Sequence, residues 1–161
     1  MRFRRLKKEE LEALEEDFIQ FLASNHITAK EWENLKEAKS EKVYELIDVF
    51  SDIVLEKIYS EIDYLQHRSK DTVRVFHCQE DKIIMTGLQI SDADRDLTRP
   101  EDIAILADPN QIKGSVKIFQ IEKAYSRERA EEVFLMIEKD RCQPAPRSMF
   151  DALIQMYQSS N

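Results

Sequence analysis

Apolar positions recur at helical spacing up to about Ser60, alternate at a period of two from Asp63 to Ile90, and return to helical spacing after Ser126. The stretch Glu41–Ser60, EKVYELIDVFSDIVLEKIYS, anchors this pattern. On a helical wheel Val43, Leu46, Ile47, Phe50, Ile53, Val54 and Ile58 share one arc, and Tyr44 and Leu55 widen it. An ordinary surface helix shows an apolar stripe of about 100°. The broader arc predicts a central helix covered on two or more sides, with Ser40 as its N-cap.

Before it, Leu11, Leu14, Phe18, Phe21 and Leu22 predict a helix from about Lys8 to Ser24. Thr28 and Glu31 form a capping box, with Ile27 and Trp32 placed as a hydrophobic staple, so a short helix should run from about Ala29 to Ala38. The alternating region divides into three strands, Asp63–Arg68, Thr72–Cys78 and Lys82–Ile90, separated by Ser69-Lys70-Asp71 and Gln79-Glu80-Asp81. Strands so closely spaced should pair as an antiparallel meander. A turn at Glu80 and Asp81 sets Cys78 against Ile83 and Phe76 against Met85, with His77 opposite Ile84 on the other face. Ser115–Tyr125 fits a fourth strand slightly better than a helix.

Residues 91–100 are polar and read as an exposed loop, with Thr98 and Glu101 suggesting a capped short helix that ends before Pro109. Asp92, Asp94 and Asp96 open like a calcium loop, but Leu97 and Ile103 stand where its Gly and Glu are needed. Ser126 should cap a helix from Arg127 to about Arg141, and a last helix should run from about Arg147 to Tyr157. The fold class is α+β: N-terminal helices around one long central helix, a small antiparallel sheet of three to four strands, then C-terminal helices. One globular domain over 1–161 is expected, with the basic arm 1–7 and the tail 158–161 mobile.

Charge adds two surfaces to this picture. Glu41, Glu45, Asp48, Asp52 and Glu56 line one narrow stripe of the central helix, and no Lys or Arg of the helix sits in that stripe to offset their repulsion. Two such carboxylates one turn apart can reach one divalent ion, and His67, on the strand that follows, is the candidate third ligand. The competing reading is a solvated acidic face, on which Asp52→Asn would be neutral or slightly stabilising. Arg2, Arg4, Arg5, Lys7 and Lys8 form a basic arm around Phe3 and Leu6. Such an arm suits an anionic lipid, RNA or a partner, but a place beside the acidic stripe or over a sheet edge, or simple solvation, explains it without one. The net charge of −8 argues against broad nucleic-acid binding.

Two cysteines, Cys78 and Cys142, are too few for a disulfide framework and read as free thiols in a reducing compartment. As adjacent strand residues, His77 and Cys78 point to opposite faces and cannot pair as base and nucleophile. No leader pattern and no run of apolar residues long enough for a membrane span is present, so the expected location is cytoplasmic, without membrane contact. Dinucleotide fingerprints, phosphate-binding loops, zinc-protease and hydrolase motifs are absent from a chain with two glycines.

D-V-F-S-D at Asp48–Asp52, followed by Tyr64, Leu65 and His67, together with the capping stretch around Thr28, resembles an uncharacterised bacterial domain family of Bacteroidota type. The chain departs from that family at the first helix, where Lys7 stands in place of the expected Ser or Thr cap. The resemblance covers most of the chain and implies a compact cytosolic domain without an assigned activity. The functional expectation is a non-enzymatic domain that binds a protein partner or itself, without a cofactor. The alternative is a metal-binding protein or metal-dependent enzyme holding a divalent ion on Asp48, Asp52, Glu56 and His67.

Overall fold

The computed structural model describes residues 1–160, so the last residue of the expected mobile tail, Asn161, lies outside the described residues. It divides into two compact units, the first spanning Met1–Tyr59 and the second beginning at Ser60.

The N-terminal unit holds α1 (Lys8–Ala13), α2 (Glu15–Ser24), α3 (Ala29–Glu37) and α4, which begins at Glu41 and ends at Ser60 as its apolar period predicts. The helix expected over 8–24 is broken at Leu14, which leaves the α-region at φ −108° and ψ 24°. An unbroken helix would stack Glu12 on Glu15 and Glu16, and no base lies between Glu9 and Asp17 to offset that repulsion. At the start of α3 the Thr28 hydroxyl accepts the Glu31 N–H at 3.1 Å, as the capping box requires. With no glycine available, His26 (φ 62°) and Lys39 (φ 52°) take the left-handed positions that close α2 and α3. On α4 the buried side chains are Leu46, Phe50, Ser51, Leu55 and Tyr59. Tyr44, Ile53 and Ile58, which the wheel places in the apolar arc, are exposed.

The second unit is built on a five-stranded antiparallel sheet in the order β4-β3-β2-β1-β5. Its strands are β1 (Tyr64–Arg68), β2 (Thr72–Cys78), β3 (Lys82–Ile90), β4 (Val116–Ala124) and β5 (Gln143–Pro144). The expected register holds: Cys78 faces Ile83, Phe76 faces Met85 and His77 faces Ile84. The fold is α+β, with five strands where three to four were expected. The extra one is two residues long and contains Pro144, which reads in sequence as a break.

α5 (Pro100–Ile103) and two short 3₁₀ turns link β3 to β4. Arg99, not Thr98, is the N-cap of α5, because the Thr98 hydroxyl is taken by the Asp96 carboxylate at 2.5 Å. Likewise α6 is Arg129–Glu138, two residues shorter at its start than expected, and Ser126 hydrogen-bonds the Glu132 carboxylate instead of capping. The final helix, α7, runs from Arg147 to Ser159, past the expected end at Tyr157.

One face of the sheet forms the core. Val73, Val75, Leu88 and Ile90 pack there against Leu97, Ile105, Leu106 and, from α7, Phe150 and Leu153. On the opposite face three cross-strand rows stand side by side. His67, Arg74, Gly87 and Phe119 form one; Leu65, Phe76, Met85 and Ile121 the next; Cys78, Ile83 and Lys123 the third. Gly87 is needed in its row, since the Phe119 ring occupies the space where a Cβ would lie.

Candidate functional site

The residues singled out in the sequence fall in both units. In the first, the basic arm lies along the acidic stripe of α4, one of the two intramolecular places considered for it. Asp52 accepts the backbone N–H of Arg2 at 2.8 Å and of Phe3 at 3.0 Å. Ser51 Oγ, fully buried, accepts the Leu6 N–H at 3.0 Å. The Arg2 guanidinium reaches Glu56 at 3.0 Å, and Arg5 grips Asp48 through two nitrogens at 2.6 and 3.0 Å. Phe3 and Leu6 are buried between these polar contacts.

The missing counter-charge of the stripe therefore comes from the arm. Asp48, Asp52 and Glu56 are occupied by arginine and backbone donors, and His67 stands on β1 in register with Arg74, a cation. Among the described residues no group of three or more His, Cys, Asp and Glu side chains is gathered that could hold a metal ion.

This arrangement reverses the expected effect of Asp52→Asn. An amide offers one acceptor where two N–H groups now donate to two carboxylate oxygens. The substitution should lower stability by about 1–2 kcal/mol, read from urea denaturation; a neutral or stabilising result would mean that the arm is not held. The carboxyls themselves report the clamp. The Arg4 guanidinium, then the Lys7 N–H, holds Glu10 down at about 2, and Arg5 holds Asp48 below the ordinary carboxylate range. Both pKa values are depressed on folding. Their contribution is complete above the usual carboxylate range and is lost as the pH falls through the folded-state values, toward about 2 for Glu10.

In the second unit two features adjoin. The first is a cavity of about 330 Å³ on the sheet face that carries the three rows. Phe76, Ile83, Met85 and Ile121 line it, with Met136 of α6 and Cys142 at its sides. Arg74, His67, Lys123 and Asp140 are its polar groups. Lys123 is held by Glu132 at 3.3 Å. The Arg74 guanidinium lies over the Phe119 ring at 6.0 Å and makes no ion pair or hydrogen bond among the described residues. Burial pushes the thiols of Cys78 and Cys142 up to about 11, so both remain protonated and unreactive, as small core groups do.

The second feature is the edge strand β4, nine residues long. The Ser91 N–H donates to the Ser115 carbonyl at 3.1 Å, and Ile90 stands opposite Val116. The antiparallel alternation then turns the main-chain groups of Lys117, Phe119, Ile121 and Lys123 toward β3. Those of Val116, Ile118, Gln120, Glu122 and Ala124 point outward from the sheet. The opposite edge is different, because β5 is two residues with a proline. Sequence reasoning places three of the four floor residues, Phe76, Met85 and Ile83, through the pairs Phe76–Met85 and Cys78–Ile83. It missed Arg74 as a site residue, although the register it proposed for β2 fixes the face on which Arg74 stands.

No helix among the described residues is long and apolar enough to cross a membrane. No curated protein matches the chain, and no solved structure matches it. Residues 1–158 match a family model described as a family of unknown function, and the chain belongs to that family, DUF6495.

Proposed function

We propose that this protein is a non-catalytic binding module that acts in the cytoplasm by docking an extended segment of a partner protein along β4. The observation that carries this reading is the asymmetry of the two sheet edges. β5 ends its side of the sheet with two residues and a proline, the usual way of closing an edge. β4 ends the other side with nine residues in regular register, five of them with outward main-chain groups. Such an edge is a template for strand addition, in which main-chain hydrogen bonds supply affinity and alternate side chains supply selectivity.

The charges on β4 favour another protein over a second copy. Full antiparallel overlap of two β4 strands is centred on Gln120 and sets Lys117 opposite Lys123 twice, a destabilising cross-strand pairing. The same two lysines flank Phe119 and Ile121 on one face, so the complementary segment carries two apolar residues between acidic ones on that face.

Gln120→Pro tests this directly. Its N–H points outward, so proline removes an edge donor without touching the ladder to β3. Extended peptides selected from a display library against the intact chain should be rich in Asp or Glu beside apolar residues. Their affinity should fall at least about tenfold, or about 1.4 kcal/mol, in Gln120→Pro, with the melting temperature unchanged. Selection of no extended peptide, or binding that survives Gln120→Pro, contradicts the reading. A dimer of the intact chain that the same substitution dissociates would replace the partner with a second copy.

A further inference from the structure

We propose that the cavity on the sheet face binds a small organic monocarboxylate with an aromatic or aliphatic body. The carboxylate lies against Arg74 and the body lies on Phe76, Met85 and Ile121.

The cavity has the composition of a small-molecule site, a mostly apolar floor with His67 and Arg74 at one margin and Lys123 two rows away. Its volume of about 330 Å³ suits a small ligand. Its polar end is built by register. His67 and Arg74 are direct cross-strand partners on this face, so two nitrogen donors stand side by side at the margin of the apolar row. Arg74 is half-buried and without a carboxylate partner among the described residues, while its neighbour Gly87 leaves room for the Phe119 ring that supports the guanidinium. A guanidinium offers a planar fork that matches a carboxylate with two parallel hydrogen bonds. The arginines of the N-terminal arm, by contrast, are paired with Glu56, Glu10 and Asp48.

The charge of the ligand follows from the rest of the lining. Lys123 is drawn to Glu132, which it shares with Arg127, whereas Arg74 lines the cavity without a carboxylate partner. Asp140 lies on the wall, and the chain carries a net charge of −8. Both disfavour a dianion such as a phosphate ester, and the apolar floor disfavours a small hydrated anion. A single negative charge on a hydrocarbon or aromatic body matches Arg74 at one end and the apolar floor beside it.

The experiment is a titration of the intact chain, followed by two-dimensional NMR, with phenylacetate and hexanoate. Phenylacetamide, phenethylamine and inorganic phosphate serve as the neutral, cationic and phosphate arms. At least one of the two carboxylates should bind and shift the signals of Phe76, Met85 and Ile121, and the three comparison compounds should bind at least about tenfold more weakly. Arg74→Gln should lose at least about tenfold in affinity for the carboxylate. So should Ile121→Glu, at a side chain exposed enough to accept a charge without unfolding the sheet. Failure of both carboxylates at millimolar concentration overturns the proposal. So does equal binding of phenylacetamide, tighter binding of phenethylamine or phosphate, or full affinity in Ile121→Glu. None of these results bears on the outward groups of β4, which Gln120→Pro tests separately.

Discussion

Phe50→Ala is expected to cost about 3–5 kcal/mol of stability, the range for removing a buried aromatic side chain. Phe50 is 3% exposed and sits where the rings of three helices converge. Its centroid lies 5.0 Å from that of Phe18 and 5.4 Å from that of Phe21, and Phe18 in turn meets Trp32 edge-on at 5.1 Å. Truncation removes the α4 contribution from contacts that tie α2 and α3 together and leaves a void among these rings. Urea denaturation followed by Trp32 fluorescence reads the loss. A change below about 1 kcal/mol would mean that the cluster does not hold the N-terminal unit.

Arg129→Ala should be comparably severe, at about 3 kcal/mol or more. Arg129 opens α6, and its guanidinium is a hub for backbone carbonyls. It donates to Cys78 at 2.7 Å, Ile62 at 2.8 Å, Ser60 at 3.0 Å and Gln79 at 3.2 Å, and also to the Asp63 carboxylate at 3.2 Å. These acceptors lie at the start of β1 and around the β2–β3 turn, so one side chain fixes α6 to the end of the sheet. Alanine takes this donor from the partly buried carbonyls of Ile62 and Cys78, each costing about 1–3 kcal/mol where water cannot replace it, while Tyr125 still donates to Gln79. Arg129→Lys should recover less than half, because one ammonium cannot address acceptors spread over a planar fork. Thermal and urea melts of both variants test this; a lysine variant as stable as the natural chain would show that charge alone suffices.

The elements legible in sequence are those whose side chains alternate or repeat cleanly. The twenty residues of α4, all of β2 and β3 and their register follow from period and turn chemistry alone. The Thr28 cap follows from a four-residue motif. The break at Leu14 escapes the pattern because apolar spacing continues through it while the repulsion between acids does not show on the wheel. β5 escapes because two residues carry no period. β4 was the ambiguous segment for a physical reason: an edge strand has one partner and an exposed face, so its alternation is weak, with Ile121 more than half exposed.

The candidate site divides along the same line. The acidic stripe and the basic arm were both visible, and so was the chance that they meet. Which carboxylate takes which arginine depends on where the chain returns after some fifty residues, and no local spacing encodes that. In sequence, the place of His67 on the strand after α4 makes it a candidate metal ligand. Its cross-strand partner, Arg74, makes that corner of the sheet electropositive and turns the reading from a cation to an anion. Arg129 was unremarkable in sequence, since nothing in Arg-Glu-Arg-Ala signals that one of two arginines reaches backwards across two strands.

Amide exchange along β4 in the free protein is the most direct test that the edge stands open for a partner strand. Lys117, Phe119, Ile121 and Lys123 bond to β3 and should exchange slowly, while Ile118, Gln120 and Glu122 should exchange fast, giving alternation along a single strand. A bound peptide should then slow the second set and leave the first nearly unchanged. Uniform protection of β4 in the free protein, or a peptide that protects other residues and leaves Ile118, Gln120 and Glu122 fast, would contradict the account.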